Sequence, residues 1–339
     1  MACFLFIFLQ IMVFYMQMKA STKVIVFGAN GSQSNRYINL LKENKLCEIV
    51  ALVDVVEGNL QITGCGPRAA QIGSLDGLLK EIEFDAGMIF CPHSSHYNYT
   101  LSLLQHGKDV IKEKPFARYV QRAANINRLS KQKGKNVYTT LQRRYMPEFI
   151  KGKELIEKLG GIYKFNYRYS LNTAGLDYGW RNQRETCLGG VLYDMGYHII
   201  DILQYYFGSP SKFIANSHYF NQHNLAEKLE DSIDIVLEYE DFGGSLSICR
   251  RHYQKEETFE IIGRQGSLVI TPGTVQWFDQ KGSVIEQYLY PDSKQQSMQA
   301  MMNHYLESIS CKPTDGSFIQ AQEQLQNVAL IEKIYAEIY

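Results

Sequence analysis

Asp194 and His198 stand four residues apart in the stretch Leu188-Gly-Gly-Val-Leu-Tyr-Asp-Met-Gly-Tyr-His-Ile-Ile-Asp-Ile-Leu203. On a helix that spacing puts a carboxylate and an imidazole on one face, with Asp201 beyond His198 and able to orient its ring. Such a pair is equipment for moving a proton. Ile199, Ile202 and Leu203 are expected to cover the buried side. Gly189 and Gly190 would let the backbone approach closely at the helix entrance, and Gly196 would leave room over the helix for a flat ligand. The zinc-protease pattern H-E-x-x-H is absent.

Six further groups could join them. Lys114 ends the run Asp109-Val-Ile-Lys-Glu-Lys114 and precedes Pro115, which forces it into an extended conformation and fixes where its ammonium points. Gly28-Ala-Asn-Gly-Ser-Gln33 follows an apolar run and opens a helical stretch, the place of a phosphate-cradling turn. Only Gly28 is in register with G-x-G-x-x-G; Asn30 can adopt the left-handed conformation of a glycine, Gly31 can restore the tight turn, and Gln33 takes the last glycine's place. Backbone N–H groups near Ser32 could still hold a pyrophosphate. Asp54, 26 residues after Gly28, is placed to accept both ribose hydroxyls of adenosine. It would repel a 2′-phosphate, so NAD is expected rather than NADP. Cys91-Pro-His-Ser-Ser-His96 is read as lining the nucleotide cleft through Cys91, Pro92 and His96 rather than as a metal site, because three donors in six residues on a turn rarely converge tetrahedrally. Gln142-Arg-Arg-Tyr-Met-Pro147 and Trp180-Arg-Asn-Gln-Arg184 carry Arg143, Arg144, Arg181 and Arg184, which either fork onto a substrate anion or sit on the surface.

The elements that must position these residues follow from periodicity. Strands are expected at 23–27, 48–54, 86–90, 109–112 and 136–139, alternating with helical stretches near 34–43, 95–106 and 118–133, the pattern of parallel βαβ units and a Rossmann-type doubly wound sheet. A helix around 147–159 follows, then alternating strands at 232–239, 244–249, 258–262, 267–270 and 274–278 and a closing helix near 318–338. These predict a C-terminal α+β domain whose open, mostly antiparallel sheet keeps one face free for a partner subunit. The expected division is an apolar extension at 1–17, a dinucleotide-binding domain at 18–140 and a substrate-binding and oligomerisation domain at 141–339.

The whole chain bounds the partners. Its 339 residues suit two domains, and 35 Lys plus Arg balance 35 Asp plus Glu, leaving no net field for a nucleic acid or an anionic membrane. Seven cysteines without a C-x-x-C pair read as reduced thiols and a cytoplasmic address. Residues 3–16 are almost wholly apolar. A signal peptide, a short transmembrane helix and a surplus extension ahead of a start at Met16 or Met18 are the three readings, of which the extension is favoured over a membrane anchor.

From Lys23 onward the chain resembles the Gfo/Idh/MocA family of nicotinamide-dependent oxidoreductases, named for glucose-fructose oxidoreductase and inositol dehydrogenase. HGKDVIKEKPFA (106–117), QRRYMP (142–147), GWR (179–181) and GGVLYDMGYHIIDIL (189–203) resemble its GKHV-x-x-EKP, RF-x-P, WR and GG-x-x-x-D-x-G-x-H-x-x-D patterns. The resemblance implies hydride transfer between NAD(P) and a hydroxyl or keto carbon of a sugar, inositol or nucleotide-sugar. It implies Lys114, Asp194 and His198 as the catalytic set, with His198 as base, Asp194 on an adjacent hydroxyl and Lys114 on the reacting oxygen. It adds Glu113 and Lys114 to the cofactor contacts, sets Arg143, Arg144, Trp180 and Arg181 beside the substrate, and implies a homodimer or homotetramer. Asn30 and Gln33 depart from the family's glycines and Arg36 from its histidine. These departures sustain one rival, a non-catalytic member that senses a ligand or scaffolds a complex, against which the retained Lys114, Asp194 and His198 argue.

Overall fold

Five of the first six strands run parallel because each is an apolar run joined to the next through a helix. The computed structural model describes residues 21–56, 59–63, 74–173, 179–311 and 321–339, so the expected extension at 1–17 lies outside the described residues. The first sheet holds β1 (Thr22–Phe27), β2 (Cys47–Val56), β3 (Asn59–Thr63), β4 (Ala86–Ile89), β5 (Asp109–Lys112) and β6 (Val137–Thr139) in the order β3-β2-β1-β4-β5-β6. The edge strand β3, which the sequence reading lacked, pairs antiparallel with β2. Helices α1 (Ser32–Lys42), α2 (Leu75–Glu81), α3 (His96–Gln105) and α4 (Val120–Lys133) alternate with the strands.

Successive side chains on β1 face opposite ways, so it feeds two cores. Ile25 and Phe27 pack with Leu103, Leu104 and Ile126 of α3 and α4, whereas Val24 and Val26 pack with Tyr37, Ile38 and Leu41 of α1.

Pro147, at the first helical position, starts α5 (Pro147–Leu155). The second sheet then gathers β7 (Ile162–Asn172), β8 (Lys212–His218), β9 (Ser232–Glu238), β10 (Gly243–Cys249), β11 (Arg251–Gly263), β12 (Gly266–Thr271), β13 (Thr274–Phe278) and β14 (Val284–Leu289). Their order is β14-β13-β12-β11-β7-β10-β9-β8. Every neighbouring pair is antiparallel except β7 and β10, which run parallel at the centre. The exception arises because β7 inserts between the consecutive strands β10 and β11; β7, β8 and β14 add to the strands expected from alternation. On β9 the alternation is explicit: Ile233, Ile235 and Leu237 are buried while Val236 is 55% exposed. The buried face packs against α6 (Tyr197–Phe207).

Two C-terminal helices return to the first half. Met301, Met302, Tyr305 and Leu306 of α7 (Ser293–Cys311) join the core formed by Val24, Val26 and Ile111, and α8 (Ala321–Ile338) packs against both α4 and α6. The cleft between the sheets is therefore closed by elements from both halves. Among the described residues no helix is long and apolar enough to cross a membrane.

Candidate active site

The carboxyl ends of β1, β4 and β5 converge on the cleft, where open parallel sheets present ligand sites. Gly28 follows β1 with φ +79, and a Cβ there would come within 2.7 Å of Phe90 C and Cys91 N, so only glycine fits. Neither Asn30 nor Gly31 takes a left-handed conformation; Gly31 is extended and caps α1 without a side-chain cap bond. The first turn of α1 holds no acidic residue. Its unpaired N–H groups and positive dipole end thus suit a phosphate, and Ser32 and Gln33 line the cleft beside them. Asp54 braces this loop: its Oδ2 accepts from Asn30 N–H at 2.6 Å and its Oδ1 from Val55 N–H at 2.8 Å.

The loop after β4 serves the interior more than the cleft. His96 is buried and its Nε2 donates to the Cys91 carbonyl at 2.9 Å, so it holds the turn and does not line the cleft. Cys91 does line it, and burial followed by the charge of Asp54 pushes its thiol up to about 12. His93 Nδ1 donates to the Cys187 carbonyl at 2.9 Å, tying this loop to the turn before Gly189. Burial, then the Lys114 charge, pushes His93 down to about 3. Pro92 caps the short helical turn His93–Ser95. Among the described residues no His, Cys, Asp and Glu group could hold a metal ion.

Lys114, Asp194 and His198 meet across the cleft, which has a volume of about 420 Å³. Lys114 Nζ donates to the Asp194 carbonyl at 2.5 Å and to Asp194 Oδ1 at 3.2 Å, leaving its third N–H uncommitted. Burial opposes ionisation of Asp194, but the charges of Lys114 and Arg181 outweigh it and hold the carboxyl well below its usual range. Burial, then the charges of Arg143 and Lys114, holds the His198 imidazole neutral, with its Nδ1 lacking a partner. Glu113 accepts from Thr140 Oγ1 at 2.7 Å. Burial raises its carboxyl and the Lys114 charge opposes that rise.

The helix carrying these residues differs from the expected one. Leu192–Gly196 forms a π-turn that runs into α6 at Tyr197, so Asp194 and His198 belong to two kinds of helical winding. Asp201 does not orient His198: its carboxylate takes both Arg144 Nε and Nη2 at 2.8 Å and Asn327 Nδ2 at 2.7 Å. The glycines admit protein rather than ligand. A Cβ on Gly196 would lie 2.8 Å from Ile248 Cδ1, and one on Gly190 would lie 2.2 Å from the Glu230 carbonyl. Glu230 is fully buried. It accepts Gly190 and Leu192 N–H at 3.0 Å and the hydroxyls of Tyr335 and Tyr339 at 2.7 Å. No local sequence pattern announces Glu230, because its partners lie far along the chain.

The arginines divide. Arg143 lines the cleft but forks onto Glu257 at 2.6 and 3.0 Å, and Glu257 also accepts the Tyr167 hydroxyl at 2.7 Å. Arg144 lies outside the cleft, paired with Asp201 and Glu323. Arg184 is also outside it, over the Tyr339 ring. Arg181 stacks on the Trp180 ring at 4.1 Å and reaches Asp194 Oδ1 at 3.7 Å; both residues line the cleft. Lys255, Lys294 and Tyr169 line it as well, and no motif marked them.

Residues 22–141 match an oxidoreductase family with an NAD-binding Rossmann fold, and residues 149–269 match the GFO/IDH/MocA C-terminal domain. Over 175 residues the chain is 28% identical to a scyllo-inositol 2-dehydrogenase (NADP(+)) of Bacillus subtilis, covering 51% of this chain and 48% of that protein. The chain spans about half the length of the curated relatives it matches first. Among solved structures, biliverdin reductase from Synechocystis with biliverdin and NADP+ superposes with a TM-score of 0.76 at 15% identity, over 94% of this chain and 99% of that one. The WlbA dehydrogenase from Bordetella pertussis, with NADH and UDP-GlcNAcA, superposes with a TM-score of 0.73 at 18% identity, over 94% and 95%. At these identities the likeness is one of fold. With both halves matched in order, the chain belongs to the Gfo/Idh/MocA family of oxidoreductases.

Proposed function

We propose that the chain is a nicotinamide-dependent dehydrogenase or reductase acting on a secondary hydroxyl or its ketone in a sugar, inositol or nucleotide-sugar. One observation carries this reading: Lys114, Asp194 and His198 line the same cleft as the open start of α1. The first turn of α1 would hold the pyrophosphate and Asp54 the adenosine ribose, while Cys91, Glu113 and Lys114 lie where the nicotinamide half would run. Held there, a nicotinamide cofactor would supply the hydride exchange with the substrate carbon. The neutral His198 takes the hydroxyl proton on a ring nitrogen. The uncommitted N–H of Lys114 donates to the reacting oxygen and stabilises its negative charge. Asp194, held ionised, accepts from a neighbouring hydroxyl. A scaffold would need none of these groups brought together. In the relatives, a scyllo-inositol dehydrogenase and a UDP-GlcNAcA-bound dehydrogenase are consistent with a polyol substrate.

NAD is favoured over NADP because Asp54 places a carboxylate at the end of β2, where a 2′-phosphate would sit. An Asp54→Ala variant should lose this preference, and an unchanged ratio of NADH to NADPH binding would remove Asp54 from the site. Turnover is tested by offering sugars, inositols and nucleotide-sugars with each cofactor while following reduced-nicotinamide absorbance. Turnover that persists at the wild-type rate in His198→Ala would refute the assignment. The free sheet face, with Ile214 at 71% and Leu289 at 66% exposure, suits a second copy of the chain.

A further inference from the structure

The cleft is cationic in a chain of zero net charge. Arg36, Lys114, Arg143, Arg181, Lys255 and Lys294 line it, against three carboxylates, Glu113, Asp194 and Glu257. The deep cations are committed: Lys114 is bonded to Asp194, Arg143 forks onto Glu257, and Arg181 lies 3.7 Å from Asp194. Among the described residues Lys255 and Lys294 form no ion pair with a carboxylate, and Arg36 bonds to Gln33 Oε1 at 3.1 Å. Burial, then the charges of Lys255, Arg36 and Arg143, lowers the Lys294 ammonium, opposed by Glu257, which already accepts from Arg143 and Tyr167. Like charges gathered beside one carboxylate that Arg143 already holds cost stability, and a bound anion reduces that cost.

We propose that Lys255 and Lys294, supported by Arg36, form a subsite for an anionic group on the substrate, a carboxylate or phosphate carried by the sugar whose hydroxyl meets Lys114 and His198. This inference rests on the dehydrogenase reading. It also moves the anion contact away from Arg143 and Arg144, whose forks are already filled by Glu257 and Asp201. Lys255 lies on β11 and Lys294 at the start of α7, so the subsite joins the second sheet to the helix that returns to the first.

The test uses the full chain with saturating NADH and matched pairs of probes: D-glucuronate with D-glucose, D-galacturonate with D-galactose, D-glucose 6-phosphate with D-glucose, and myo-inositol 1-phosphate with myo-inositol. Ligand binding raises the melting temperature by mass action, and about 10 mM of a ligand with millimolar affinity should add about 2 °C. The expected result is that the charged member of at least one pair exceeds its neutral partner by that margin. The uronates report a carboxylate and the other two probes a phosphate. The Lys255→Ala/Lys294→Ala variant should lose this difference while keeping the wild-type shift with NADH alone. If no charged probe exceeds its partner, or if the variant keeps the difference, the subsite is refuted. A weakened NADH shift in the variant would also overturn it, assigning the lysines to the cofactor. No NADH shift in the wild type removes the dehydrogenase reading itself, and the subsite with it.

Discussion

His198 combines burial with two neighbouring cations, a combination that keeps an imidazole neutral and ready to accept a proton. Its replacement by Ala should lower turnover about 10²–10⁴-fold with NADH affinity retained. Lys114→Ala should cost about 10²–10³-fold, as loss of a charged donor to a developing oxyanion does. Steady-state rates and a NADH titration on each variant check both. The neutral histidines also set the acid limit of the fold. His93 is pushed down to about 3, and His96 and His198 also lie well below the usual imidazole range. Below about pH 6.5 the unfolded chain binds protons at these positions that the folded chain refuses. Stability therefore falls as pH falls, by about 1.4 kcal/mol per pH unit for each histidine, down to about pH 3 for His93. The depressed Asp194 carboxyl adds the same sign below about pH 4. Urea unfolding at successive pH values measures the slope, and a flat profile between pH 6 and pH 4 would contradict it.

The π-turn and its anchor belong to the scale of the element. Glu230 binds two backbone N–H groups just ahead of Asp194 and is itself held by Tyr335 and Tyr339. Tyr335→Phe removes one buried partner and should destabilise the chain by about 1–3 kcal/mol. It should also lower kcat more than it raises KM, because the helix start that carries Asp194 loosens while the cofactor contacts stay. Equal stability, or a change in KM alone, would show that the clamp does not act on the site. Lys114, Asp194 and His198 were legible in the sequence because Pro115, Gly189, Gly190 and Gly196 mark their surroundings. The same glycines misled on detail: the space beside Gly196 is filled by Ile248, which lies on a strand 52 residues away. Arg143 and Arg144 looked available because their acceptors, Glu257 and Asp201, are 114 and 57 residues distant. The strand β7 escaped notice because charged and aromatic residues interrupt its alternation: Phe165, Tyr167 and Ser170 are buried, while Tyr163, Lys164 and Arg168 are exposed.

At the scale of the whole molecule, the two halves are joined by α7 and α8 as much as by the cleft. Tyr305, fully buried against Tyr138 at a ring distance of 4.7 Å, anchors α7 to the first sheet. Its replacement by Ala should cost about 3–5 kcal/mol, read by chemical denaturation. The free sheet face predicts an oligomer, with Ile214, Val236 and Leu289 exposed across its strands. Sedimentation should find more than one copy, and Ile214→Glu/Val236→Glu should yield a folded monomer; a wild-type monomer would leave that face without a partner. The two-sheet architecture was legible because βαβ alternation and period-2 strands are local signals. The return of α7 to the first sheet was not, because only tertiary packing chooses which sheet an amphipathic helix covers. The central claim is that the cleft holds a nicotinamide cofactor beside Lys114 and His198. A titration of the purified chain with NADH, followed by nicotinamide fluorescence, tests it most directly. Saturable binding with a Kd below about 1 mM is expected; an unchanged signal up to several times that concentration would contradict it.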